Sequence, residues 1–288
     1  MSRVYRALEK VEEERKQRVE EPSLRVFEEK TVPRRQGPDS EFREEKVEKV
    51  EKVEKLDLPQ KEIAPVLIVQ PHSFCGEAFR KLKTQIFLHP GNSPRTILVT
   101  SAAPQEGKTL VAVNLAVAIS KEIHSNVILV DGDLRRPGIQ LEKTKKGKGL
   151  SNYLSDGIPL SEILINSEIE KLQIIPAGSS TRKSSELIRS RKMGELLDYL
   201  KGFDHAYIVI DSPPIMATPD PSLLSKMVDG IILVVRAGYT SRESIQDAIK
   251  SIDRQKIIGV VFNQIDAKPS TYFSEYYRYY QYYKNKVE

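Results

Sequence analysis

Tryptophan is absent from this chain of 288 residues, and cysteine occurs once, at Cys75. A single cysteine cannot form a disulfide within the chain, and no Cys-x-x-Cys pair is present to bind zinc or an iron–sulfur cluster. Histidines are few and show no spacing typical of metal ligands; they are His72, His89, His124 and His205. The composition therefore argues against a disulfide framework and against a zinc enzyme.

Long hydrophobic runs are also missing. No stretch approaches the roughly 18 apolar residues that a membrane-spanning helix needs, and the first residues are charged rather than arranged like a signal peptide. We therefore expect a cytoplasmic protein.

Charge is unevenly distributed along the chain, which has a formal net charge of +5. Residues 1–62 contain 16 basic and 17 acidic residues, a net of −1, so the other 226 contain 45 − 16 = 29 basic and 40 − 17 = 23 acidic residues, a net of +6. With 33 of 62 residues charged, the first segment cannot fill a core, and we predict a partly helical or disordered extension. The excess of +6 is too diffuse to indicate nucleic-acid binding.

Residues 63–267 have the composition of a globular domain. Short apolar, β-branched runs alternate with amphipathic segments, a pattern typical of a parallel sheet buried on both faces. We predict a doubly wound α/β fold, followed by a tail over 268–288. The predicted strands are Thr96–Val99, Val127–Val130, Leu172–Ile175, Tyr207–Ile210, Ile231–Val235 and Ile258–Phe262, and the predicted helices include Leu110–Lys121, Glu186–Lys201 and Ser241–Asp253.

A phosphate-binding loop follows the first of these runs, between a strand and an apolar helix. Its closing residues, Gly107, Lys108 and Thr109, provide a tight turn, a cation for the outer phosphates and a hydroxyl for Mg²⁺. Ala102 occupies the place of the first glycine in the common pattern, as the looser form of the motif allows.

Three carboxylates follow other strands. Asp131 and Asp133 end the second run, and Asp211 ends the fourth, before Ser-Pro-Pro. Because parallel strands end at one edge of a sheet, we expect these side chains to lie together beside the phosphate loop. Carboxylates, a threonine hydroxyl and phosphate oxygens are ligands that Mg²⁺ prefers.

These motifs resemble the bacterial tyrosine kinases of polysaccharide export, in the form that lacks a fused membrane anchor. The resemblance covers about residues 77–288 and rests on three motifs in order: P-x-E-G-K-[ST] at 104–109, D-x-D-x-R at 131–135 and D-[ST]-P-P at 211–214. It implies a P-loop fold of the deviant Walker A type and an activity that transfers phosphate from ATP to tyrosine.

The resemblance also implies roles for residues of the site. Lys108, Asp131, Asp133 and Asp211 would be catalytic, with Asp131 accepting or orienting the tyrosine proton and Thr109, Asp133 and Asp211 at the Mg²⁺ shell. The division of roles between Asp131 and Asp133 stays open. The implied nucleotide contacts are Pro104, Gln105, Glu106, Gly107, Lys108, Thr109, Leu110 and Asn263.

A helix before the phosphate loop is similar to the oligomerisation helix of that family, E-x-x-R-x-x-R. Its matching residues are Glu77, Arg80 and Lys83, where lysine stands in the final arginine position and loses the bidentate geometry. The resemblance implies a ring-like homo-oligomer. The alternative is an exposed helix face with i, i+3 ion pairs.

The tail contains seven of the twelve tyrosines within the last seventeen residues: Tyr272, Tyr276, Tyr277, Tyr279, Tyr280, Tyr282 and Tyr283. A stacking surface for single-stranded nucleic acid would need more basic residues than the tail has. The resemblance implies that the tyrosines are phosphoacceptors, modified on a neighbouring copy.

Partners are also implied by the resemblance. They are a membrane-anchored polysaccharide co-polymerase that activates the kinase, a tyrosine phosphatase, and further copies of the chain, with the kinase placed at the inner face of the membrane and controlling polysaccharide polymerisation and export.

Three other functions stay open at this stage. A partitioning-type ATPase switch shares the fold but carries a lysine where this loop has Ala103. A protein that binds ATP only structurally would need a defective site. A GTPase is opposed by Gln264, which interrupts the guanine-reading pattern in Asn263–Asp266.

Overall fold

The computed structural model describes residues 60–61, 68–71, 73–90, 93–139 and 147–265. The predicted extension therefore lies outside the described residues except for Gln60 and Lys61, and the tail lies outside them entirely.

One sheet organises the described chain, and its strand order is β1-β4-β5-β3-β6-β2-β7-β8. Neighbouring strands are parallel except β4 and β5, which are antiparallel. The strands are β1 (Gln60–Lys61), β2 (Thr96–Ser101), β3 (Asn126–Asp131), β4 (Ile165–Ser167), β5 (Leu172–Ile175), β6 (Ala206–Asp211), β7 (Gly230–Arg236) and β8 (Ile257–Asn263).

Helices cover both faces of the sheet. They are α1 (Phe74–Phe87), α2 (Lys108–Ser120), α3 (Leu150–Asp156), α4 (Ser184–Ile188), α5 (Arg191–Lys201), α6 (Asp220–Ser225) and α7 (Arg242–Lys250). None of the helices in the described ranges is both long and apolar enough to cross a membrane.

The core has two layers because alternate residues of each strand face opposite sides. In β2, Leu98 packs on the side of α3 to α7, whereas Ile97 and Val99 pack on the side of α1 and α2. Every residue of β2 is buried. These observations confirm the predicted doubly wound α/β fold.

Helix α2 has no face toward water after its first turn. All ten residues from Val111 to Ser120 are buried, because α2 lies between the sheet and α1. Its Asn114 side chain accepts a hydrogen bond from the Val69 amide at 2.9 Å, which fastens the segment before α1 to this helix. The helix that begins at the phosphate loop is therefore held on all sides.

All six predicted strands are present, whereas the prediction of one helix over Glu186–Lys201 was wrong. That segment forms α4 and α5, because Ser190 has an extended backbone and its hydroxyl accepts the Met193 amide as an N-cap. The predicted helix Ser241–Asp253 is shorter, since Ser241 caps α7 and the chain turns after Lys250. The two-residue strand β1 lies just before the predicted domain boundary at 63.

Candidate functional site

The phosphate loop connects β2 to α2 at the carboxyl edge of the sheet. Gln105 and Gly107 have positive φ angles of 62° and 88°, a backbone geometry that lets amide groups converge on an anion. Ala102 is buried and has no positive φ, so the position of the first glycine does not require glycine here. Pro104 and Gln105 are exposed, while Lys108, Thr109 and Leu110 are half-buried in the first turn of α2.

Two strand ends place carboxylates next to this turn. Asp131 and Asp211 are register partners on β3 and β6, and both are fully buried. The Thr109 hydroxyl donates a hydrogen bond of 2.6 Å to Asp211 Oδ2. The structure therefore brings together the threonine and the two aspartates that the motifs predicted to be neighbours.

The loop after β3 wraps around Asp131. Its Oδ1 accepts the Asp133 amide at 3.1 Å, and its Oδ2 accepts the amides of Gly138 and Ile139 at 3.0 Å each. Asp133, which is 4% exposed, accepts the Arg136 amide at 2.9 Å through Oδ1. These bonds fix the direction of the Asp131 carboxylate.

Burial raises the pKa of Asp131 above the usual carboxyl value, and the charge of Asp211 raises it further, although backbone amides oppose the shift. Burial also raises the pKa of Asp211, while the Lys108 ammonium and the Thr109 hydroxyl act in the opposite direction. Two buried carboxylates side by side form a site with a deficit of positive charge.

The fit of a divalent cation can be tested on one atom. Asp211 Oδ1 is buried and accepts no hydrogen bond, which is costly unless a cation or donor faces it. No group of three His, Cys, Asp or Glu in the described ranges could hold a metal by itself. The unpaired Oδ1 suits Mg²⁺, which takes few protein ligands and completes its shell with water and phosphate oxygens.

Gly138 lies directly over the side chains of Thr109 and Asp211. A Cβ at that position would be 2.7 Å from Thr109 Oγ1 and 3.3 Å from Asp211 Oδ2. The loop after β3 approaches so closely that no side chain fits between it and the carboxylate.

Glu106 and Asn263 contact the loop in ways that the motif did not predict. The Glu106 carboxylate is buried and accepts the Ala103 amide at 2.5 Å and the Arg236 amide at 3.2 Å. Asn263 donates from Nδ2 to the Glu106 carbonyl at 2.9 Å and lies against Gly107. Both side chains brace the loop itself.

Arg135 of the D-x-D-x-R motif takes part in a second buried network. It donates to Asp220 at 3.4 Å and to the Ser185 hydroxyl at 3.2 Å. Asp220, which is fully buried, also accepts the hydroxyls of Ser184, at 2.7 Å, and Ser185. The sequence reading missed Asp220 and both serines, for which the only signal was a polar residue at a helix start.

The predicted oligomer helix is α1. Arg80 pairs with Glu77 one turn earlier, as the exposed-face alternative expects, and also donates to the Pro71 carbonyl at 3.1 Å. Lys83 pairs with Glu122 at the end of α2, and its side chain is only 13% exposed. In this structure Lys83 is engaged within its own chain. The seven tail tyrosines lie outside the described residues.

The chain is similar to several known proteins. A family model described as an AAA domain matches residues 95–260. The tyrosine-protein kinase CpsD of Streptococcus pneumoniae serotype 4 is 32% identical over 202 residues, which cover 68% of this chain and 87% of CpsD. The tyrosine-protein kinase YwqD of Bacillus subtilis is 29% identical over 205 residues, covering 69% of this chain and 84% of YwqD.

Among solved structures, the chimerical protein CapA2B2 has a TM-score of 0.64 and 30% identity, covering 72% of this chain and 93% of that one.

Proposed function

The chain belongs to the bacterial tyrosine kinases of capsule and exopolysaccharide biosynthesis, and on that basis we propose that it transfers the γ-phosphate of ATP to tyrosines, including its own C-terminal cluster. The observation that carries the proposal is the hydrogen bond from Thr109 to Asp211 beside Lys108, because these three side chains together would suit a metal ion and phosphate at the P-loop.

Binding of Mg-ATP would use three parts of the chain. The amides of residues 105–109 and the Lys108 ammonium hold the β- and γ-phosphates at the start of α2. Thr109 and Asp211 would hold Mg²⁺, with Asp133 beside them, and the ion would supply positive charge against the phosphate oxygens.

Transfer itself asks for little more than positioning. The tyrosine oxygen forms a bond to the γ-phosphorus, the bond to the β–γ bridging oxygen breaks, and ADP leaves with that electron pair. Asp131 takes the phenolic proton. Two features support this role. The raised pKa makes the carboxylate a better base near neutral pH, and the hydrogen bonds that it accepts from backbone amides fix its direction.

The acceptor is the tyrosine cluster of a neighbouring copy. Seventeen extended residues span up to roughly 60 Å, so the tail is long enough for transfer between copies. Each phosphate adds roughly −1.5 to −2 charge, so seven would add roughly −10 to −14 and repel a docked tail. Phosphorylation would then disassemble a ring built through α1.

The cellular setting follows from the family. The kinase lies in the cytoplasm against a membrane-anchored polysaccharide co-polymerase that activates it, and a tyrosine phosphatase reverses the modification. Cycles of phosphorylation would control polymerisation and export of the polysaccharide. Fusing an activator segment to this chain is one way to supply such a partner in an assay.

The first experiment is intact-mass spectrometry after incubation with Mg-ATP. Wild type is compared with Lys108→Met, which cannot hold the outer phosphates, and with a chain truncated after Ala267. We expect added phosphates in wild type, confined to residues 268–288 by peptide mapping, and none in Lys108→Met.

Steady ATP hydrolysis without added mass, even with membrane extract, would contradict the kinase and favour the partitioning-type switch. One feature of the sequence argues against that switch. Ala103 stands where those ATPases carry a lysine, so this loop lacks that side chain.

A further inference from the structure

Glu106 places a carboxylate inside a loop that binds anions. The amides of such a loop and the start of α2 favour negative ligands, so a carboxylate among them would repel the phosphates. Glu106 is 0% exposed, so water does not screen its charge. Its presence therefore calls for a role that offsets this electrostatic cost.

The contacts of the carboxylate lead away from the phosphate side of the loop. Oε2 accepts the Ala103 amide at 2.5 Å, at the start of the loop. Oε1 accepts the Arg236 amide at 3.2 Å and the Thr240 hydroxyl. Arg236 and Thr240 belong to the turn between β7 and α7, so the carboxylate joins the loop to that turn.

The backbone of Glu106 is held as well. Its carbonyl accepts Asn263 Nδ2 at 2.9 Å, at the end of β8. On either side of it, Gln105 and Gly107 have left-handed backbones, and for Gln105 this conformation is costly because the residue carries a Cβ. Hydrogen bonds thus hold Glu106 in place between two residues whose backbone conformations bend the loop.

We propose that Glu106 is a positioning residue for nucleotide binding, held by Thr240 and Asn263, that keeps the loop in its phosphate-binding shape before the nucleotide arrives. The inference rests on the proposed nucleotide site but not on tyrosine as the acceptor. Its physical basis is preorganisation: a loop that is already bent does not lose conformational entropy when the phosphates bind.

Preorganisation has a kinetic signature. If the contacts of Glu106 are weakened, the free loop is less ordered, and the free energy needed to order it on binding lowers the affinity for nucleotide. Once nucleotide is bound, the loop has the same shape as in wild type. KM for ATP therefore rises and kcat changes little, the pattern expected when binding shared by ground state and transition state is lost.

The test uses the full chain and the equilibrium affinity for Mg-ADP, measured by calorimetry. Thr240→Val keeps the shape of the side chain and removes the donor to Oε1. We expect its affinity to fall about tenfold, which corresponds to about 1.4 kcal/mol, close to the lower end of the range for a hydrogen bond to a charged group. Thr240→Ser restores the hydroxyl and should bind within about twofold of wild type. Thr84→Val, at an exposed position of α1, is the matched control.

A second variant, Glu106→Gln, has nearly the same size. Its amide group must face either the Ala103 amide or the Arg236 amide, so at least one donor meets another donor. We expect a loss of affinity at least as large as in Thr240→Val. Denaturant unfolding without nucleotide shows whether each variant is folded at the assay temperature.

Two outcomes would overturn the proposal. Folded Thr240→Val and Glu106→Gln proteins that bind Mg-ADP as wild type does would reduce these contacts to fold stability alone. A fall in kcat with unchanged KM would place Glu106 in the chemical step instead. Wild type that binds Mg-ADP but adds no phosphate to tyrosine would contradict the kinase and leave the affinity comparison valid.

Discussion

Two buried aspartates of this protein have opposite surroundings. Asp220 receives hydrogen bonds from two serine hydroxyls and from the Arg135 guanidinium. Asp211 is equally buried and lies near the Lys108 ammonium, but it accepts only one side-chain hydroxyl, and its Oδ1 has no hydrogen-bond partner. A second carboxylate, Asp131, lies beside it on the next strand.

The comparison separates a structural carboxylate from a functional one. At Asp220 the chain itself supplies the donors and the positive charge, so folding completes the site. At Asp211 the chain supplies one hydroxyl and the nearby Lys108 ammonium, but a second buried carboxylate lies beside it and Oδ1 has no donor. The free energy of unfolding is therefore lower until a cation or another ligand binds. Burial alone does not distinguish the two residues, since both are fully buried.

The largest expected effect comes from Asp211→Asn. Loss of the metal-binding charge should lower the rate of tyrosine phosphorylation roughly 100- to 1000-fold. In the absence of metal and nucleotide, the same change should raise the free energy of unfolding by about 1 kcal/mol, since an amide donor replaces an unsatisfied oxygen beside Asp131.

Rates from intact-mass time courses and free energies from urea unfolding test both parts. Asp247→Asn, an exposed carboxylate on α7, should change neither quantity. A destabilised Asp211→Asn protein would remove the distinction between the two aspartates.

The opposite sign is expected for Asp220→Ala. Removing this acceptor leaves the Ser184 hydroxyl buried without a partner and Arg135 without its anion. We expect the free energy of unfolding to fall by about 2–4 kcal/mol. Urea unfolding measures it, and Asp247→Ala, whose ion pair is exposed, should lose no more than about 0.5 kcal/mol.

Stability should also depend on pH in a direction set by the unsatisfied pair. The raised pKa values of Asp131 and Asp211 mean that the folded protein binds more protons than the unfolded chain above about pH 4, the ordinary carboxyl range. The free energy of unfolding in EDTA should therefore fall as pH rises from about 4 through neutrality.

Excess Mg-ADP should make the free energy of unfolding depend less on pH, because the cation favours the ionised carboxylates. In Asp211→Asn the metal-free slope should be smaller, since one of the two groups no longer titrates and the other loses a charged neighbour. A slope of the opposite sign in wild type would contradict the assignment of a charge deficit to this site.

The smallest effect is expected at Lys83 and Glu122, an ion pair partly open to water. Glu122→Ala should lower the free energy of unfolding by less than about 1 kcal/mol, compared with Glu168→Ala at an exposed position. It also frees Lys83. Stronger self-association by sedimentation velocity would place Lys83 in the oligomer interface, and unchanged self-association would keep its role within the chain.

The central strands and the fold class could be predicted from the sequence because these strands are continuous runs rich in β-branched residues. Strands β1 and β4 have two and three residues, too few for any periodicity, and the sequence reading missed both. The break between α4 and α5 depends on one capping hydroxyl, Ser190, inside a segment of helical pattern. Such local competition between a cap and a helix is decided by the surrounding packing.

The site was readable to the extent that strand ends converge. Asp131 and Asp211 end adjacent parallel strands, so topology alone places them together. Asp220 and Thr240 reach their partners from helix starts and turns, and no spacing along the chain encodes those contacts. The turn of Glu106 toward Thr240 could be known only from coordinates.

The burial of α2 beyond its first turn also sets a contrast of timescales. Amide protons from Val111 to Ser120 are shielded on every side, so they should exchange with solvent only through global unfolding. The amides of residues 105–107 must stay open to a ligand and should exchange from the native state. Lys108 lies between these two segments, so slowly and rapidly exchanging amides should occur within about one helical turn of the lysine that would bind phosphate.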